Sequence, residues 1–259
     1  MNNLNTILAI AYRDFTKFRQ DRGRILATFI FPIVFVGILG SSLQSNLSQA
    51  AGLNFLIFTF TGVIGQTLFQ STASGLISLI QDRETDFAQE MFVSPVSRYS
   101  IIIGKILGES SVAMVQGTGV LLFGFIMGIH LSFSELLAIF PAALVICLLG
   151  GSFGLLVLSN LSEQRSANQI FPFIIFPQFF LAGVFSPIKN LPIYLSILSK
   201  ISPMTYAVDL IRGVYYLGKP EYSRVVLSSP LTNLLIIALM FTAFLFIGTY
   251  LFVRNERNR

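Results

Sequence analysis

The sequence predicts an all-α, polytopic membrane protein with six transmembrane helices. Composition is the first reason, because apolar types make up 54% of the 259 residues, whereas Asp, Glu, Lys and Arg together make up 11%. A soluble domain of this size would be roughly one quarter charged. The second reason is that the few charges fall between long apolar runs, as expected for a chain whose solvent is mainly lipid.

The longest uncharged stretch lies between Arg24 and Asp82. A helix of about 20 residues crosses a hydrocarbon core roughly 30 Å thick, so this stretch is long enough for two spans. Its polar residues 44–49 predict the hairpin between them. The six predicted spans are residues 25–43, 53–80, 106–129, 136–158, 170–186 and 231–253. The fifth contains Pro172 and Pro177, which a membrane helix tolerates only where neighbouring groups satisfy the freed carbonyls.

The basic residues predict the orientation of these spans. Of the 17 Lys and Arg residues, twelve lie in the two chain ends and in the loops after spans two and four, and five lie in the loop before span six. Because Lys and Arg are retained on the cytoplasmic side, both termini are predicted to be cytoplasmic. We expect a multi-pass protein of the cytoplasmic membrane of a bacterium.

Two classes of ligand are not expected. The basic residues form no stripe with interleaved aromatic residues, so nucleic acid is not a predicted partner. The single cysteine, Cys147, lies within an apolar run, so no thiolate cluster and no metal site are predicted.

Two segments outside the spans are predicted to lie along the membrane surface. In residues 1–24, apolar residues recur at helical spacing and charged residues occupy the other face, which is typical of an interfacial helix. Its apolar face consists of Leu4, Ile7, Leu8, Ala11, Phe15 and Phe18, and its polar face of Arg13, Asp14, Lys17, Gln20 and Asp21. Residues 189–229 are rich in tyrosine and proline and predict one or two short helices in the outer leaflet. A simple lipid anchor for the first segment and a solvated loop for the second remain alternatives.

The loop between the second and third spans, residues 81–105, has the composition of a short docking helix. Phe87, Met91 and Phe92 are apolar positions among charged ones, and Pro95 ends the helix. Such a helix on the cytoplasmic face predicts a protein partner.

Two sets of motifs resemble those of ABC type-2 export permeases of the daunorubicin-resistance kind. In the loop, the matching runs are DRE at 82–84, SPVSR at 94–98 and GK at 104–105. Downstream, the runs that look like the C-terminal signature of this family are FLAGVFSP at 180–187, LP at 191–192, SPMTYAVD at 202–209 and RG at 212–213. Both sets lie at the expected places in a six-span order, so the resemblance covers nearly the whole chain.

The resemblance implies a permease subunit that forms a homodimer with a second copy, with pairing to a paralogue as the alternative, and that binds two copies of a nucleotide-binding ABC ATPase. The sequence has no Gly-x-x-x-x-Gly-Lys-[Ser/Thr] phosphate loop, so the chain is predicted to be no enzyme by itself. No catalytic residue and no bound cofactor are expected, because ATP and Mg²⁺ would belong to the partner subunit. The expected cargo is hydrophobic or amphipathic, such as a drug, a lipid or a glycolipid.

The resemblance also assigns residues to two regions. The ATPase-coupling residues are Asp82, Arg83, Glu84, Asp86, Phe87, Glu90, Met91, Phe92 and Arg98. The exit-side residues, in the segment that resembles the family's re-entrant helices, are Pro187, Pro192, Pro203, Tyr206, Asp209 and Arg212.

Glu109 is the charge that lies deepest in a predicted span. Intramembrane ionisable residues are often functional, and a gating role is one interpretation. The other is an ion pair with Lys105, four residues earlier on the same helix, or snorkelling to the membrane surface.

Three other classes of protein fit the sequence less well. An ion-coupled secondary transporter needs several ionisable groups near the middle of the membrane. A membrane enzyme needs a cluster of catalytic groups. The composition also fits a structural membrane subunit without transport activity, and only the motifs argue against this class.

Overall fold

The computed structural model describes residues 3–84, 97–161 and 163–257, and in these ranges every regular element is a helix. The first helices are α1 (Asn3–Gln20), α2 (Arg22–Pro32), a π-helical segment (Ile33–Gly40), α3 (Ser41–Ala51), α4 (Phe55–Gly75) and α5 (Ile77–Glu84). The remaining helices are α6 (Arg98–Ile126), α7 (Phe133–Leu158), α8 (Gln164–Leu181), α9 (Ile193–Ile201), α10 (Pro203–Tyr215), α11 (Tyr222–Val225) and α12 (Pro230–Arg257). The predicted all-α membrane fold is confirmed.

Among the described residues, five helical stretches are long and apolar enough to cross a membrane. They are Phe29–Asn46, Phe55–Asp82, Arg98–Ile126, Phe133–Leu158 and Tyr222–Asn255. The predicted fifth span falls on α8, which is not one of the five because its 18 residues begin with a polar turn and end at Leu181. The chain leaves the helix there because Gly183 adopts a φ of +67°, which side chains of L residues rarely allow. The sixth crossing stays a prediction.

The first hairpin lies further along the chain than the sequence predicted. Residues 44–49, predicted as a loop, are helical within α3, and the Asn46 side chain donates to the Ser42 carbonyl (2.8 Å). The helix instead ends at Gly52, whose φ is +61°. Asn54 then caps α4, because its side chain accepts from a backbone N–H three residues later (3.1 Å). A polar run without a breaker stays helical, so the glycine and the capping asparagine set the turn.

Helix α4 lies at the centre of the bundle and packs on α6, α7 and α10. Its contact with α7 uses two glycines one turn apart, Gly150 and Gly154, which lie against the backbone carbonyls of Phe69 and Ala73. A side chain at either glycine would overlap these carbonyls. The small residues therefore allow the two backbones to approach closely, as membrane helices often require.

Helix α1 buries a different face from the one that its apolar residues predict. The buried side chains recur every four residues and are Thr6, Ile10, Asp14 and Phe18. They include Asp14, which the sequence assigned to the polar, solvated face. Leu4 and Leu8 remain more than half exposed and are free to contact lipid. The prediction of an amphipathic helix holds, but its inner face packs on protein, mainly on α6.

Candidate functional site

Four charged side chains from three helices, α1, α5 and α6, form a buried cluster. We call Arg13 and Asp14 of α1, Asp82 of α5 and Lys105 of α6 the ion-pair cluster. Lys105 is fully buried, and its Nζ lies 3.2 Å from Asp14 Oδ2 and 2.6 Å from Asp82 Oδ2. The ammonium also donates to the Ser78 hydroxyl (3.0 Å). A fully buried ammonium is stable only when its donors are paired in this way.

Arg13 supplies the second positive charge of the ion-pair cluster. Its Nη2 lies 2.9 Å from Asp14 Oδ1 and 2.5 Å from Asp82 Oδ2. Burial tends to lower the pKa of Arg13, but the two carboxylates outweigh it and raise the pKa, so the guanidinium stays charged. Arg13 and Lys105 therefore supply two positive charges to the two carboxylates, the more exposed Lys17 lies 3.4 Å from Asp82 Oδ1, and each carboxylate is shared between α1 and α6.

Two glycines of α6 make room for α1 beside this cluster. A Cβ atom at Gly104 would lie 3.0 Å from Ile10 Cβ, and one at Gly108 would lie 3.1 Å from both Ala11 Cα and Asp14 Cβ. Lys105 lies between the two glycines in sequence. The GK motif and the glycine that follows it thus provide a flat surface for α1 and the cation that holds it there.

Glu109 lies one turn further along α6 and is 1% exposed. It packs directly on Gly75, where any side chain would overlap its carboxylate. The Ser78 hydroxyl is 3.4 Å from Glu109 Oε1. Lys105 forms ion pairs with Asp14 and Asp82 on other helices, and the two interpretations of Glu109 stay predictions.

A polar cavity of about 240 Å³ opens beside the ion-pair cluster. The side chains that line it come from α1, α5, α6 and the turn after α1, and are Asp14, Lys17, Asp21, Ser78, Gln81 and Glu109. Glu109 therefore lies next to polar groups of α1, α5 and the turn after α1. A gating role for it stays a prediction.

The predicted coupling residues divide into a described and an undescribed set. Asp82 belongs to the ion-pair cluster, and Arg98 begins α6 and is half-buried. Glu84 Oε1 accepts from the backbone N–H of Gln164 (2.7 Å), so it caps α8 and joins two loops. The side chain of Arg83, together with Asp86, Phe87, Glu90, Met91 and Phe92, lies outside the described residues.

A wide polar groove lies where α5 and α8 meet at Glu84. Its volume is about 620 Å³, and its lining residues are Glu84, Glu163, Gln164, Arg165, Asn168 and Gln169. Helix α5 ends at Glu84 beside this groove, and the predicted docking helix follows it in the sequence.

The predicted exit-side residues Asp209 and Arg212 are both buried in α10, where they form hydrogen bonds with neighbouring segments of the chain. Asp209 accepts from the backbone N–H groups of Leu227 (2.7 Å) and Ser228 (2.8 Å) and from Asn233 Nδ2 (2.8 Å). These three bonds attach the start of α12 to α10. They also use both oxygens of the carboxylate.

Arg212, three residues after Asp209 on α10, has a comparable function. Its Nη2 donates to the carbonyls of Gly183 (2.8 Å), Val184 (3.2 Å) and Phe58 (3.3 Å), and its guanidinium lies 3.7 Å from the centre of the Phe58 ring. The bonds satisfy carbonyls that the turn after α8 leaves free. Arg212 thus connects α10 to α4 and to the end of α8.

The remaining exit-side residues shape the backbone. Pro203 begins α10, where its missing N–H costs nothing, and Pro192 precedes α9. The Tyr206 hydroxyl donates to the carbonyl of Lys200 (2.7 Å) and ties α10 to α9. Pro187 follows the turn after α8 and is exposed. The segment contains three short helices, α9, α10 and α11, where one or two were predicted.

Sequence reasoning missed Asp14 and Asn233 as partners of the motif residues. A signal for Asp14 was present, because it falls on the four-residue ladder with Thr6, Ile10 and Phe18. No comparable signal marks Asn233, which stands among apolar residues of the last span.

Residues 5–216 match the ABC-2 type transporter family, which is most of the chain. The chain belongs to this family. The match begins in α1 and ends just after α10, so this ABC-2 type transporter subunit carries the ion-pair cluster and the whole of α10 within its family region. It is therefore the membrane subunit of an ABC transporter, and such a subunit works with an ABC ATPase.

Several relatives of this ABC-2 subunit are similar over different parts of the chain. The putative transport permease ycf38 of Cyanophora paradoxa is 24% identical over 82% of this chain and 74% of its own length. The probable multidrug ABC transporter permease YbhR of Escherichia coli (strain K12) is 34% identical over 54% of this chain and 38% of its own length. Nodulation protein J of Rhizobium leguminosarum bv. viciae is 22% identical over 82% of this chain and 83% of its own length.

Proposed function

We propose that this chain is the permease of an exporter that moves a hydrophobic or amphipathic cargo out of the cytoplasm or the inner leaflet of a bacterial membrane. The ion-pair cluster is the observation that carries the mechanism, because it joins α1 and α6 to the residue at which the chain enters the proposed docking loop. The multidrug permease among its relatives supports an amphipathic cargo.

In this mechanism the docking loop receives force from the ATPase and the ion-pair cluster distributes it. Asp82 contacts Arg13 of α1 and Lys105 of α6, so a displacement of α5 cannot leave the other two helices behind without breaking buried ion pairs. Glu84 extends the same connection to the start of α8. Four helices therefore respond to one docking event as a unit.

Transmission of force also needs a difference in free energy between two states. ATP binding drives transport only if the closed ATPase pair favours one permease conformation over the other. We propose that closure of the ATPase pair moves two docking loops together and opens the interface of a permease homodimer outward. ATP and Mg²⁺ are bound by the two ATPase subunits, and this chain supplies the docking surface and the path.

The apolar residues of the loop allow a direct test. Phe87→Asp combined with Met91→Asp places two charges on the proposed docking surface, which should weaken association with the ATPase about 10- to 100-fold. The measurement is ATPase co-purification and the stimulation of ATP hydrolysis in the reconstituted complex. The matched control is Leu217→Asp, at an exposed apolar residue in the segment before α12. If the double variant assembles and stimulates hydrolysis like the wild type, the docking surface lies elsewhere.

A further inference from the structure

A second cavity, of about 610 Å³, lies between α9, α10 and the start of α12. Its lining is mixed, with hydroxyl groups and lysines on some sides and Ile188, Leu227 and Ile236 on others. No part of the coupling mechanism uses it. It lies in the segment that the proposed topology places at the outer leaflet.

The charge of this cavity is decided by Lys189 and Lys200. Asp209 also borders it with one negative charge, which the two lysines outnumber, and both of its oxygens already accept hydrogen bonds from Leu227, Ser228 and Asn233. Within the described ranges, neither lysine has a carboxylate within ion-pair distance. The cavity is therefore positive and suits an anionic group.

Polar groups around the lysines add hydrogen-bonding capacity. Ser196, Ser199 and Thr205 contribute hydroxyls to the lining. Asn233 is fully buried, and its Nδ2 must face Asp209 because a carboxylate only accepts. Its Oδ1 consequently points away, and it accepts no hydrogen bond from the described part of the chain. A ligand with hydroxyl or amine donors beside its anionic group would match this set.

Helix α9 indicates that such a ligand comes from the membrane. Its cavity side carries Ser196, Ser199 and Lys200, whereas its other side exposes Ile193, Ile197 and Ile201 by more than half of their surface. Exposed isoleucines at this density are stable against acyl chains rather than water. An amphiphile in the same leaflet can therefore place its headgroup in the cavity while its chains stay in the hydrocarbon.

We propose that this cavity binds the phosphate of an anionic, hydroxyl-bearing lipid headgroup, with Lys189 and Lys200 as its cationic partners. The assignment rests on the proposed function for its topology and names the chemical class of the amphiphile that the exporter handles at its outer side. Phosphatidylglycerol has the required chemistry, since it combines one phosphate with two hydroxyl groups. Phosphatidylcholine has the phosphate but no donor and carries no net charge.

The test uses the full-length purified permease in detergent, with short-chain phosphatidylglycerol, short-chain phosphatidylcholine and free glycerol phosphate as separate probes. We expect the phosphatidylglycerol to bind about tenfold more tightly than the phosphatidylcholine. Lys200→Gln should remove most of that preference. Lys189→Gln is the second variant, although its Nζ also donates to the Ser223 carbonyl. The matched control, Arg224→Gln, removes an exposed cation of the same segment that does not line the cavity.

Each result supports or overturns the assignment. Equal affinity for the two lipids, or an equal loss in the Arg224→Gln control, would overturn it. Binding of glycerol phosphate as tightly as the lipid, with the same dependence on Lys200, would show that the anion site is real but that its source is soluble. ATPase co-purification is measured on the same variants. If the ATPase still co-purifies while the wild type shows no headgroup preference, the cavity assignment fails and the proposed function stands. If the wild type binds the headgroup but no ATPase co-purifies with it, the proposed exporter function fails.

Discussion

Lys105 is a charged residue that is completely buried. It contacts two carboxylates from two other helices. A complete buried ion pair adds little net stability relative to apolar residues, but removing one partner leaves the others unpaired. The cluster therefore adds little net stability, and its main effect is to hold α1, α5 and α6 in fixed relative positions.

Removal of the Lys105 ammonium should destabilise the protein strongly. We expect Lys105→Met to lower the free energy of unfolding by about 3–5 kcal/mol, because Asp14 and Asp82 lose a buried cation. The measurement is unfolding in mixed micelles, followed by circular dichroism. Lys17→Met is the control, since Lys17 is 58% exposed and lies 3.4 Å from Asp82, and it should cost less than about 1 kcal/mol. Equal losses in the two variants would contradict the account.

Asp209 offers a second test at this scale. Asp209→Asn keeps the shape of the side chain but turns an NH₂ group toward backbone donors, which should cost about 1–3 kcal/mol. The same unfolding measurement applies. Glu135→Gln is the control, because the Glu135–Lys219 pair is partly exposed and the amide can still accept from the Ser132 N–H. A negligible effect of the Asp209 variant would mean that α12 is held by other contacts.

The sequence motifs identified most of these residues but not their partners. Asp82, Lys105, Asp209 and Arg212 all lie in runs that the family resemblance singled out. Asp14 bonds a residue 91 positions away, and no local pattern reports a contact over such a separation. The coupling role of the docking loop itself remains a prediction from the motif.

At the scale of elements, helix α1 shows why the spacing of apolar residues alone did not identify the face that is buried. Apolar residues at helical spacing favour contact with either lipid or protein, and the pattern does not distinguish the two. The buried ladder passes through Ile10 and Asp14 because Gly104 and Gly108 provide the flat surface opposite them. The glycines of α6, together with the charge on Asp14, decide which face turns inward.

A large side chain in the glycine surface should displace α1. A Cβ atom at Gly108 would already lie 3.1 Å from Ala11 Cα, so we expect Gly108→Leu to separate the two helices. Trypsin cleavage at Arg13 and Lys17 should then become about tenfold faster or more in inverted membrane vesicles. The control is Ser111→Leu, at an exposed position of the same helix. Cleavage at the same rate in both variants would show that α1 is held independently of this surface.

Element boundaries were predictable where breakers occur and not elsewhere. Gly52 and Asn54 set the first hairpin, and both are residues that typically end or begin a helix. The polar run before them gave a stronger signal for a loop, and the predicted position was therefore too early. Helix α6 begins at Arg98, eight residues before the predicted span, and most of this first part is buried, including Ile101, Ile102 and Lys105. Hydropathy reports the uncharged part of a helix, and Lys105 made the predicted span begin too late.

At the scale of the whole molecule, contacts sort the loops into two ends of the bundle. At one end, Asp82 contacts Arg13, Glu84 contacts the start of α8, and Asn255 donates to the Ser159 carbonyl (3.0 Å). At the other end, Lys219 pairs with Glu135 (2.6 Å). The basic residues predict that the first end is cytoplasmic, and this orientation stays a prediction.

Thiol labelling would test this orientation. In a Cys147→Ser background, Arg165→Cys should react with an impermeant maleimide only in inverted vesicles, and Leu217→Cys only in intact cells. Arg165 is an exposed residue in the first turn of α8, Leu217 is exposed after α10, and the two lie at opposite ends of the bundle. The reverse pattern would place the docking loop on the wrong side of the membrane for an ATPase.

The central claim is that an ABC ATPase binds the loop after the second span. Photo-crosslinking in native membranes tests it most directly, with benzoylphenylalanine introduced at Phe87 in cells that contain the cognate ATPase. We predict an ultraviolet-dependent product that contains both proteins and whose yield changes when ATP is trapped on the ATPase. The same probe at Leu217 should give none. Crosslinking at Leu217 but not at Phe87 would contradict the account.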